Sequence, residues 1–91
     1  IIVPRDRVFT PEKWARTPDH MRHKFMWSFH RQYQLEGMTR KEVEKLLGKG
    51  SDLQGSVEYK LKDDWIGGWR VYHIDYKQDR VIRAKETWQD W

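Results

Sequence analysis

Glu36-Gly37-Met38-Thr39-Arg40-Lys41-Glu42-Val43-Glu44-Lys45-Leu46-Leu47-Gly48-Lys49-Gly50-Ser51 is composed almost entirely of signals that start and stop a helix. Thr39 is an N-cap residue type, and Glu42 three positions later completes a T-x-x-E capping box, in which each side chain accepts from the other's backbone N–H. Met38 before the cap and Val43 after it are placed as a hydrophobic staple. Val43, Leu46 and Leu47 form a short apolar stripe, and Gly48 supplies a left-handed stop. So short a helix is marginal alone in water, because nucleation is costly. The end signals offset part of that cost, and packing on a larger surface must supply the rest. The stretch predicts a short helix fixed against a sheet.

The sheet follows it in the chain. Val57-Glu58-Tyr59-Lys60-Leu61 alternates apolar and charged residues, as a strand with one buried face does. Residues 62–68, with Asp63-Asp64 and Gly67-Gly68, read as a loop. Residues 69–76 form a second strand, with Tyr72, Ile74 and Tyr76 on one side and Trp69, Val71 and His73 on the other. Lys77-Gln78-Asp79 makes a turn, and a third strand runs over 80–88. Short connections make the three an antiparallel meander.

Upstream, Thr10-Pro11-Glu12 has the grammar of a helix start, and a turn carrying Trp14 follows it. Thr17-Pro18-Asp19 repeats that grammar and opens a longer helix over 18–35. On a wheel, Met21, Phe25, Met26, Phe29 and Tyr33 fall within an arc of about 140°, the expected buried face. His20, His23, Lys24, His30 and Arg31 take the opposite side, with Trp27 among them. The predicted architecture is α+β: two helices on one face of a three-stranded antiparallel β-meander. An extended segment, 1–9, leads into a single domain, 10–88, and 89–91 form a tail.

Composition bounds the rest. Ninety-one residues make one domain, and six Trp, four Tyr and three Phe give it an aromatic core despite a mean hydropathy of −1.03. The net charge is +4, and its surplus lies in residues 1–50, which hold 11 Lys and Arg against 6 Asp and Glu. That basic half suits a nucleic acid, an anionic membrane surface or an acidic protein, or is simply solvated. No stretch approaches the roughly 18 apolar residues of a membrane span. The chain opens IIVPRDRV with neither a methionine nor a signal-peptide pattern, and reads as a processed or trimmed product. With no cysteine, disulfides and thiolate metal sites are excluded while the compartment stays open.

Leu35, Gly37, Met38, Thr39, Glu42, Val43, Leu46, Leu47 and Gly48, followed by Tyr59, Val71, His73-Ile74-Asp75-Tyr76 and Val81, form a recognisable order. It resembles the SmpA/OmlA (BamE-like) domain of bacterial envelope lipoproteins and, more distantly, the repeat of β-lactamase inhibitor protein. The likeness covers about residues 9 to 86. Lys49-Gly50 stands where that pattern has a proline, and Gln78-Asp79 where its hairpin has a glycine. The resemblance implies a non-catalytic scaffold module outside the cytoplasm, periplasmic or envelope-associated. Its partners are proteins of an envelope or membrane complex, and an upstream anchor reaches the membrane.

Candidate contact residues come from the anomalies. Trp27 is ringed by His23, Lys24, His30 and Arg31, a combination suited to an acidic partner or a membrane interface. The alternative is that Trp27 packs beneath the N-terminal segment, against Trp14 or Pro4. Trp88 and Trp91 near the chain end either fold back on the sheet or dock on another chain. The candidate partner-binding set is therefore His23, Trp27, His30, Arg31, Trp88 and Trp91. No metal site is expected, since His20, His23 and His30 lack converging ligands. No cofactor, small-molecule substrate or catalysis is expected either. Asp63 and Asp64 point apart in an extended chain, and Ser28, Ser51 and Ser56 have no motif placing a histidine beside them. The reading is a protein-interaction module. The alternatives are a small basic nucleic-acid binder, opposed by Glu58, Asp75, Asp79 and Glu86 on the sheet, and an inhibitor of a secreted enzyme.

Overall fold

The computed structural model describes residues 2–64 and 66–90, Asp90 by its backbone alone. Helices α1 (Pro11–Arg16), α2 (Met26–Gln32) and α3 (Arg40–Leu47) precede strands β1 (Ser51–Leu53), β2 (Ser56–Asp64), β3 (Gly68–Lys77) and β4 (Arg80–Asp90). The strands form one antiparallel sheet in the order β1-β2-β3-β4. The class is α+β, as the sequence predicts, but there are three α-helices where two are expected, the turn carrying Trp14 being itself helical, and the sheet has four strands where three are expected. β1 escapes pattern reading because its three residues are all exposed and carry no alternation. A turn at Gln54 and Gly55, with φ of 24° and 90°, folds it onto β2. β2 and β3 also run further than their alternation implies, so the expected loop over 62–68 narrows to the link between Asp64 and Gly68.

α3 forms as its end signals dictate. Thr39 Oγ1 accepts from the Glu42 N–H, and Glu42 accepts from the Thr39 N–H at 2.9 Å. Gly48 ends the helix at φ 72° and ψ −167°, so the chain leaves extended rather than left-handed helical. Two buried donors then satisfy the last carbonyls, which a helix cannot pair internally. Trp14 Nε1 donates to Leu47 O at 2.9 Å, and the Tyr59 hydroxyl donates to Gly48 O at 2.7 Å. One comes from α1 and the other from β2, so α3 is held at both sides of its C-terminus.

The predicted helix over 18–35 is instead a 3-10 helix, Asp19–Phe25, running into α2. With three residues per turn, Arg22 lies directly beneath Phe25 and Met21 rotates off that face. Met21 is accordingly 49 % exposed, against the expectation that it is buried. Arg22 takes the inward place, its guanidinium 4.6 Å from the Trp14 ring centroid and its Nε donating to the carbonyls of Trp14 and Thr17.

The core is aromatic on the helical side. Phe9 contacts the rings of Trp14, Phe25, Phe29 and Tyr33, all but fully buried itself. Val57, Tyr59, Leu61, Tyr72, Ile74 and Val81 of the sheet close it from below. Phe9 thus carries the N-terminal segment into the centre of the molecule, and β4 carries residues 89 and 90 into the sheet.

Candidate interaction surface

α2 holds its outward residues steady because its inward polar ones are bonded to the N-terminal segment. Ser28 is buried, and its Oγ accepts from the Phe9 N–H at 3.0 Å. Gln32 Nε2 donates to Ser28 Oγ and to Phe9 O. Lys13 of α1 reaches back, its Nζ donating to Arg5 O at 2.7 Å. Phe9 is thereby tied to α2, and Arg5 to α1.

Trp27, one residue before Ser28, faces away from those bonds and is 48 % exposed. Arg31, one helical turn on, places its guanidinium 5.1 Å from the Trp27 ring centroid, a stacked geometry that arginine favours. Between α2 and the N-terminal segment lies a hollow of about 280 Å³ lined by Ile2, Val3, Pro4, Arg7, Lys24 and Trp27. Trp27 and Pro4 line this one hollow, and the half-exposed ring is an open wall of it. Trp14 is in the core, away from it.

His23 and His30 do not stand free in solvent on the far side of the helix. His30 Nε2 is 3.0 Å from Glu86 of β4, His23 Nε2 is 3.9 Å from the same carboxylate, and His30 meets the Tyr72 ring edge-on. Two residues along the strand, Trp88 is folded back over Gly68 and donates from Nε1 to Asp64 at 3.1 Å. A second hollow of about 260 Å³, lined by Lys62, Asp63, Asp64, Arg70 and Trp88, lies there. Trp27 and Arg31 are thus brought together directly, and His23 and His30 are brought to Glu86. Trp88 follows on the same strand, and Trp91 lies outside the described residues.

Sequence reasoning missed the walls supplied by Ile2, Val3 and Arg7, because nothing in a short lead-in marks which helix it will flank. It also missed a polar network on the sheet face away from the helices. His73 lies between Glu58, 2.8 Å from Nδ1, and Asp75, 2.9 Å from Nε2. Asp75 also accepts from Ser56 and Arg83, and Glu58 from Gln89. The hydrogen bond to Glu58, then that to Asp75, raises the His73 pKa above its ordinary 6.5, with partial burial opposing. Ser56, Arg83 and then His73 hold the Asp75 carboxyl down at about 2. The alternation His73-x-Asp75 was visible in the sequence, but pairing it with Glu58 needs the register of β2.

Chemically this network is closed. Ser56 donates to a carboxylate too weakly basic to activate it, and both nitrogens of His73 are engaged by carboxylates. Among the described residues no group of three or more His, Asp or Glu side chains is arranged to hold a metal ion. No helix of the described residues is long and apolar enough to cross a membrane. No family model, characterised protein or solved structure matches this chain.

Proposed function

We propose that this chain is a non-catalytic module that acts by protein–protein contact, and that the Trp27 face of α2 is the surface it presents. The observation that carries the reading is the half-exposed Trp27 ring, stacked with Arg31 and lining a hollow together with the N-terminal segment. Tryptophan and arginine concentrate binding energy when fixed in place, because little side-chain entropy is left to lose on docking. The likeness to SmpA/OmlA domains supports the further proposal that the contact is made at a bacterial envelope, within a membrane-associated assembly.

The test is a photo-crosslinking amino acid at position 27, introduced into the protein in its native cells. Discrete protein adducts, absent when the probe replaces exposed Met21 instead, are the expected result. Adducts to nucleic acid alone, or no adduct at any exposure time, would overturn the reading. Fractionation of the same cells checks the envelope placement: the protein is expected with the envelope, and recovery in the cytoplasm alone removes that part.

A further inference from the structure

The hollow beside Trp27 is chemically one-sided. Ile2, Val3, Pro4 and the Trp27 ring make it apolar, Arg7 and Lys24 make its rim cationic, and among the described residues no carboxylate lines it. Of the 18 Lys and Arg side chains only three pair with carboxylates of the described residues, Arg40 with Glu44 and Asp52, Lys60 with Asp63, and Arg83 with Asp75, so what marks the hollow is the gathering of unpaired cations around one apolar recess. Among the described residues, Arg7, Lys24 and Arg31 have no carboxylate partner. Lys24 lies near the Phe25 ring and Arg31 on the Trp27 ring, so both cations are oriented by aromatic faces and keep N–H groups to offer.

We infer that this hollow is the docking site for an acidic peptide segment bearing one large apolar side chain. The apolar side chain sits against Trp27 and Pro4, and the flanking carboxylates meet Arg7, Lys24 and Arg31. The inference rests on the interaction-module reading and deepens it by naming the partner's chemistry. A volume of about 280 Å³ holds one such side chain, not an extended apolar surface. A recess also favours a peptide over a bilayer, which takes projecting aromatic anchors; here Trp27 is a wall rather than a tip. The planar Arg31 guanidinium is suited to two parallel bonds with one carboxylate. Three unmatched cations make the attraction strongly salt-dependent.

The experiment is an array of heptapeptides with a central Phe or Leu flanked by Asp and Glu, by Ser, or by Lys, probed with the purified chain. Phosphatidylglycerol vesicles are tested in parallel. The acidic peptides are expected to be retained, the serine series at least ten-fold weaker and the lysine series not at all. Trp27→Ala, Lys24→Glu and Arg31→Glu should each weaken the acidic series ten-fold or more, while Met21→Ser leaves it unchanged. Circular dichroism checks that every variant folds. Equal retention of all three series, retention of none, or binding of vesicles with no peptide retained each overturns the inference. Crosslinks from position 27 to a protein that contacts it through a neutral or basic segment would overturn this inference and leave the module reading standing.

Discussion

His73 has a carboxylate on each ring nitrogen, and only the imidazolium can donate to both. Its folded pKa therefore stands above the ordinary 6.5, through Glu58 first and Asp75 after it. The sign follows from which form folding favours. A raised histidine pKa contributes stability that is complete below about pH 6.5 and is lost as pH rises through the folded value. Asp75 runs the other way: held at about 2 against an ordinary 3.8, it contributes above pH 3.8 and is lost as pH falls toward 2. The melting temperature is expected to be highest between about pH 4 and 6.5 and to fall on both sides. His73→Gln should flatten the alkaline limb. A thermal scan by circular dichroism from pH 2 to 9 checks it, and an alkaline limb unchanged in the variant would remove His73 as its cause. At this scale the sequence was half legible. Alternation along β3 put His73 and Asp75 on one face, whereas Glu58 joins them only through pairing across fifteen residues of chain.

Elements were legible where local chemistry decides them and hidden where a neighbour does. α3 follows its own end signals, so residues 39–48 were readable alone. The Asp19–Phe25 segment looks like an ordinary amphipathic helix, yet Arg22 is held by the carbonyls that end α1, and the turn tightens around it. The β3–β4 hairpin is a third case: the turn was visible, but its strain was not. Gln78 and Asp79 have φ of 51° and 67°, so both non-glycine residues sit in the left-handed region of a two-residue turn that prefers Asn-Gly. Each such residue costs about 1 kcal/mol, and glycine's greater freedom in the unfolded chain returns part of that. Gln78→Asn with Asp79→Gly is expected to stabilise the protein by about 1 kcal/mol, or roughly 4–8 °C for a domain of this size. The bond from the Arg40 N–H to the Asp79 carbonyl is a backbone contact and survives the change. Urea unfolding and a thermal scan measure it. A lower midpoint would mean that the Gln78 and Asp79 side chains contribute more than their backbone strain removes.

At the scale of the whole molecule, the helices-then-sheet order and the apolar face of the sheet followed from periodicity. The tryptophans did not sort themselves, because periodicity cannot place one aromatic residue in a six-residue helix. Trp14 joins several parts of the fold. Its ring meets Phe9, Phe25 and Tyr59, Arg22 lies over it, and its N–H satisfies the last turn of α3. Trp27, by contrast, is half exposed, stacks with Arg31 and lines a hollow. On the proposed reading the two residues divide stability from contact, and one paired substitution tests that division. Trp14→Phe leaves the Leu47 carbonyl without its donor and opens a void, a loss of about 2–4 kcal/mol. That is a large share of the roughly 5–15 kcal/mol holding a small domain together. Trp27→Phe, at an exposed position, should shift stability by no more than about 0.5 kcal/mol. Chemical unfolding followed by far-ultraviolet circular dichroism ranks them without relying on tryptophan fluorescence, which both changes alter. If Trp27→Phe proves as destabilising as Trp14→Phe, Trp27 belongs to the core, and the hollow beside it is a packing defect rather than a place for a partner.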